Sequence, residues 1–309
     1  MDIFLQQILN GLVLGSIYAL IALGYTMVYG IMGLINFAHG EVVMFGAMVT
    51  ISVITALTGA GVDLPGVVLV LIGLLVAIPA CMLLGYVIER VAYRPLRGAQ
   101  RLAPLITAIG LSIVLQQVAI LIWGRNYIPF PQILDHDTVE FFGASITKLQ
   151  IVIIVLCIAI MAGLLMMVER TKLGRAMRAT SQNPSVAGLM GVNVNTIIST
   201  TFVIGSALGA IAGVMVATNY DQAHYYMGFM IGLKAFTAAV LGGIGNLGGA
   251  VAGGLLLGII ESLGAGYIGT LTGGFLGSHY QDIFAFIVLI AVLIFRPSGL
   301  LGEKMADRA

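Results

Sequence analysis

Long apolar runs separated by short polar gaps dominate this chain, and that pattern leaves few folds open. The runs are Ile3–Tyr29, Glu41–Leu57, Pro65–Ile88, Leu102–Trp123, Leu149–Val168, Thr196–Ala217, Met227–Leu241, Val251–Tyr267 and Ile283–Phe295. Most are near the ~20 residues that a helix needs to cross the hydrocarbon core. None shows the two-residue alternation of a transmembrane barrel strand. A soluble fold of 309 residues would need a charged surface, yet only 9% of residues are charged and mean hydropathy is +1.08. Ordinary globular chains carry about 25%. The expected fold is therefore an all-α membrane protein, a polytopic bundle of 8–9 membrane segments forming one domain over residues 1–309. The count turns on Met227–Leu241, whose 15 residues either cross or re-enter. A soluble enzyme, a disordered chain and a nucleic-acid binder are excluded by the same numbers.

The few cations set the orientation. Arg90, Arg94, Arg97 and Arg101 form one cluster, Arg170, Lys172, Arg175 and Arg178 a second, and Arg296, Lys304 and Arg308 a third. The positive-inside rule assigns all three groups to the cytoplasm. The loop 124–148 carries Asp135, Asp137 and Glu140 and belongs outside, with Trp123 and Tyr127 at the level of an interfacial aromatic belt. No Lys or Arg precedes Arg90, so a basic signal-peptide region is missing and the first run is expected to remain as a span. Cys81 and Cys157 both fall inside apolar runs and read as packing residues, which leaves no disulfide framework and no cysteine metal site.

Two segments look interrupted. Gly30–Glu41 places Asn36, His39 and Glu41 between apolar helices, and Leu241–Ala250 places Gly245 and Asn246 before another. Glycine relaxes the backbone, and asparagine can cap the amides that a restarted helix leaves unpaired. In lipid such a break survives only where it is buried or lines a cavity, and paired breaks point to a transporter's pathway. The plainer alternative is an interfacial turn between complete spans, with His39 and Glu41 reaching the headgroups. Glu261 is an ionisable residue within an apolar run, to be explained by function or by a polar neighbour. Gly243, Gly245 and Gly248 match G-x-G-x-x-G, but membrane helices flank them, so a dinucleotide site is rejected. Gly205, Gly209 and Gly213 recur every four residues and predict a close helix-packing face.

Within the cytoplasmic loop 169–195, Asn183 suits an N-cap, Pro184 the first helical position and Gly191 the left-handed residue that ends a helix. Val186, Leu189 and Met190 then share one face. A short capped helix with an apolar face fits a groove on a partner. It would fit the membrane surface or the chain's own bundle in the same way.

The runs Gly11–Gly24 and Ile35–Glu41, with Arg175–Pro184 and Lys234–Gly245, resemble the permeases of branched-chain amino acid ABC transporters, of LivH type, essentially end to end. The resemblance implies an ABC-importer permease fold in the bacterial inner (plasma) membrane that moves Leu, Ile and Val. It also implies a second related permease, two ATPase subunits, a periplasmic substrate-binding protein and surrounding membrane lipid, with the loop 124–148 periplasmic. Ala187 and Gly191 match the A-x-x-x-G of the family's E-A-A-x-x-x-G docking loop, whereas Ser185 and Val186 depart from its first two positions. The chain has no G-x-x-x-x-G-K-[ST] and no room for a nucleotide-binding domain. ATP and Mg are therefore expected on partner subunits, with no cofactor or metal held by this chain. The alternative is an ion-coupled secondary amino-acid transporter drawing on Glu41 and Glu261.

Overall fold

The structure is a computed structural model, and it describes residues 2–302 apart from 101, 135–136, 142, 274, 276–280 and 297. Arg101, Asp135, Lys304 and Arg308 thus lie outside the described residues. Eleven α-helices carry most of the described chain: α1 Asp2–Met32, α2 His39–Gly59, α3 Gly66–Val87, α4 Leu102–Trp123, α5 Lys148–Arg170 and α6 Lys172–Gln182. They continue as α7 Pro184–Leu189, α8 Val194–Tyr220, α9 Met227–Gly242, α10 Leu247–Leu271 and α11 Gln281–Phe295. Seven are long and apolar enough to cross a membrane: α1, α2, α3, α4, α5, α8 and α10. At ~1.5 Å per residue, the 16 residues of α9 reach only about 24 Å, short of a ~30 Å hydrocarbon core.

The loop 124–148 carries short strands that the apolar pattern did not announce. Strands β2 Thr138–Phe141 and β3 Ala144–Thr147 form an antiparallel hairpin, and β1 Ile128–Pro129 pairs with β4 Gln222–Ala223. Outside the bilayer these backbones need a ladder of their own, and four-residue strands are too short to register as alternation against the helical pattern. Lys148 donates to Asp137 Oδ2 at 2.7 Å and holds that carboxyl below its usual range. Trp123 turns onto α2, where its Nε1–H donates to Ser52 Oγ at 2.7 Å.

The backbone divides into two compact units, residues 1–26, 136–163 and 234–309, and residues 27–135 and 164–233. In the second unit α8 is the central helix, with 67% of its apolar window buried against 22% for α3 and 28% for α4. The small-residue stripe makes that possible. A Cβ on Gly213 would run into the Val43 carbonyl of α2 and lie 2.9 Å from Ala47 N, while Gly209 faces Val42 and His39. Side chains of α3 and α4 such as Leu75, Leu83, Ile106 and Leu121 point outward and offer a lipid-facing surface. In the first unit, Gly11 and Gly15 of α1 meet Gly258 of α10 with similar closeness, a second small-residue seam. Cys81 and Cys157 are buried thiols outside any disulfide, in keeping with packing residues.

Candidate functional site

The first break is short. Helix α1 ends at Met32, Gly33 turns with φ +64°, and α2 begins at His39. His39 and Glu41 therefore sit in the first turn of α2 rather than between helices, and both are buried, at 1% and 0% exposure, not reaching for headgroups. Asn36 is buried in the connector but does not cap α2. The residue before the helix is Ala38, which makes no side-chain cap, and its carbonyl accepts the Glu41 N–H at 3.2 Å. Asn36 Oδ1 instead accepts the Tyr93 hydroxyl at 3.0 Å. Tyr93 closes a π-helical stretch, Ile88–Tyr93, of the kind that often marks functional positions.

Glu41 is the polar centre of this region. Its Oε1 accepts from Ser112 Oγ at 2.7 Å and from Gln116 Nε2 at 2.8 Å. Ser112 and Gln116 are four apart on α4 and so share a face. Its Oε2 is buried with no hydrogen-bond partner among the described residues and lies against Gly228 of α9. Sequence reasoning missed Ser112 and Gln116. Their signal was a polar pair at i, i+4 within an otherwise apolar span. It also missed Glu89, which is fully buried, ion-paired with Arg97, and accepts from Ser199 Oγ at 2.7 Å.

The second break matches expectation more closely. Gly243 and Gly245 take φ +107° and +98°, and Asn246 caps α10, accepting the Gly249 N–H at 2.9 Å. Asn246 Nδ2 also donates to the Leu301 carbonyl at 2.9 Å, so the segment that follows α11 lies on this break. Asn246 is half-buried and Gly245 exposed. Replacing Asn246 by Ala is expected to cost about 0.5–2 kcal/mol through the lost cap. Asn246→Asp keeps the cap acceptor and should recover most of that in a thermal-melt assay of the purified protein.

Glu261, 1% exposed on α10, accepts from Lys234 Nζ of α9 at 2.7 Å. The polar neighbour left open by the sequence is thus a cation, one that the basic clusters did not include. Of the six expected pathway residues, Asn36, His39 and Glu41 belong to the second unit, and Gly245, Asn246 and Glu261 to the first.

The loop 169–195 folds as two helices. The unforeseen α6 is capped by Thr171, whose Oγ1 accepts the Gly174 N–H at 3.0 Å. Asn183 Oδ1 then accepts the N–H groups of Ser185 and Val186, both at 3.1 Å, and Pro184 opens α7. The helix has six residues, Pro184–Leu189, with Met190 as its C-cap. Gly191 follows at φ +85°. The Val192 N–H returns to the Ala187 carbonyl at 3.0 Å and the Gly191 N–H to the Gly188 carbonyl at 3.1 Å, which is a Schellman closure. Ala187 is buried at 3%, whereas Val186, Leu189 and Met190 are 52%, 87% and 81% exposed. Ala187 thus anchors α7 to its own protein, and the apolar face stands outward.

Residues 7–293 match the family described as "Branched-chain amino acid transport system / permease component". The chain is 46% identical to the high-affinity branched-chain amino acid transport system permease protein LivH of Escherichia coli (strain K12), over 99% of this chain and 97% of that protein. It is likewise 46% identical to the permease protein BraD of Pseudomonas aeruginosa, covering 99% and 98%. A more distant relative, the probable permease protein LivH of Methanocaldococcus jannaschii, is 29% identical over 97% of this chain and 94% of its own length. No solved structure matches. A match that runs from α1 into α11, together with relatives aligned from end to end, places this multi-pass membrane protein in the branched-chain amino acid transport permease family.

Proposed function

We propose that the chain is the membrane-spanning permease subunit of an ATP-driven importer of leucine, isoleucine and valine in the bacterial inner membrane. In this reading residues 1–309 act as one permease domain. It pairs with a second related permease, two ATPase subunits that bind ATP and Mg, and a periplasmic substrate-binding protein delivering to the side of the loop 124–148. The names of the relatives aligned over nearly the whole chain support the substrate class. The observation that carries the coupling role is α7. An isolated six-residue helix is unstable in water, yet this one is fixed at both ends by Asn183 and Gly191 and keyed inward by Ala187. What it presents outward is apolar: Val186, Leu189 and Met190. Such a knob stabilises a complex only when a groove on another chain covers it.

The pathway is assigned to Asn36, His39, Glu41, Gly245, Asn246 and Glu261. Burial of Asn36, His39, Glu41 and Glu261 supports it, since polar groups inside a membrane bundle are retained against a desolvation cost. An ion-coupled carrier has less support, because Glu261 is held by Lys234 and the docking helix would have no purpose.

A cysteine at position 189 should crosslink to an ATPase subunit in the assembled complex. Leu189→Asp should cut uptake about tenfold or more, because an unpaired charge in a covered contact costs well above the ~1.4 kcal/mol that a factor of ten represents. Insertion and yield should not change. Normal uptake by Leu189→Asp, with no crosslink to any ATPase, would remove α7 from the coupling role.

A further inference from the structure

Where α3 gives way to the π-helical stretch, its basic residues face the first turns of α8 across a cavity of about 370 Å³. Arg90 and Arg94 line one side, and Asn193, Asn195, Thr196 and Ser199 the other. No carboxylate lines it. The neighbouring acid, Glu89, is buried and already neutralised by Arg97. Arg90 and Arg94, by contrast, have no hydrogen-bond or ion-pair partner among the described residues.

The amides opposite them are polarised the same way. Asn193 Oδ1 accepts the Thr196 N–H at 3.2 Å, and Asn195 Oδ1 accepts from Arg97. Both side-chain NH₂ groups are thereby left as donors. The cavity offers two uncompensated guanidiniums and further donors, which suits a phosphate, for which the arginine fork is the matching shape.

Its level along α3 narrows the source. Helix α3 ends at Val87, and Tyr86, 42% exposed, lines the same cavity. Arg90 is one turn further, on the side that its cluster assigns to the cytoplasm. Below it the exposed side chains Leu83 and Val87 continue into the lipid-facing surface of α3. A phosphate here can have acyl chains beneath it. Basic pockets between membrane helices on the cytoplasmic side are suited to anionic headgroups. We propose that this cavity is a binding site for the phosphate of an anionic phospholipid of the cytoplasmic leaflet, with Arg90 and Arg94 as its principal contacts.

The test is native mass spectrometry of the chain purified in mild detergent with its co-purifying subunits and titrated with phosphatidylglycerol. Wild type should retain the lipid. Arg90→Gln/Arg94→Gln should bind it about thirtyfold more weakly, each headgroup-level arginine contributing roughly a fivefold factor. Arg90→Lys/Arg94→Lys should recover most of the binding, and Arg175→Gln, which is outside the cavity, should match wild type. Excess inorganic phosphate should leave the lipid in place. Equal retention by the wild type and the glutamine pair would overturn the site. Displacement by inorganic phosphate would identify a free anion as the ligand and overturn the lipid assignment.

Discussion

Replacing Lys234 by Met is expected to destabilise the protein by about 3–5 kcal/mol, because it leaves the Glu261 carboxylate inside the bundle without its cation. Glu261 is 1% exposed and Lys234 14%, and their 2.7 Å contact joins α9 to α10. Each charge was removed from water, and their mutual attraction offsets that cost only while both are present. Glu261→Leu should be as damaging, since it strands the ammonium instead. The double variant Lys234→Met/Glu261→Leu removes both charges and should regain most of the loss. Melting of the three variants in detergent, followed by size-exclusion fluorescence, checks the pattern. Additive losses in the double variant would show that the two groups act independently.

Gly213→Leu is the second large effect. The backbone of α2 occupies the space where a side chain would go: the Val43 carbonyl lies closer than any real Cβ contact, and Ala47 N is at 2.9 Å. Backbone on both sides cannot rotate away, so α8 must move off α2 and open the contact around the central helix. We expect a loss of about 3 kcal/mol, at the upper end of ordinary overpacking. Gly110→Leu on α4 is the matched control. Nothing lies within 4 Å of its added Cβ, so only the helix-propensity gain of up to about 1 kcal/mol remains. Opposite signs in the two melts separate packing from propensity, and equal shifts would contradict the close contact.

What could be read from the sequence was set by how local each signal is. The Asn183–Gly191 element is determined by neighbours within a few residues, so cap, proline and left-handed glycine appear where expected. The Asn246 cap is equally local. Asn36 looked the same in sequence and behaves differently, because its oxygen is taken by Tyr93, 57 residues away. Glu41 with Ser112 and Gln116, and Glu261 with Lys234, are likewise pairings between helices. Composition announces that such groups exist and need partners, but only the packed helices choose them. The stripe Gly205–Gly209–Gly213 was legible as a seam, although its partner α2 was not. Apolar runs located the apolar helices and misjudged their ends: α1 runs on to Met32, and α6 was absorbed into a loop.

We propose that transport through this chain is driven by ATP hydrolysed on other subunits. Uptake of labelled leucine, isoleucine and valine into proteoliposomes tests it directly, with the two permeases and the ATPase pair reconstituted together. We predict uptake only when ATP is on the ATPase side and binding protein on the other, unchanged when ion gradients are collapsed. Accumulation by this chain alone, on an ion gradient and without ATP, would contradict it.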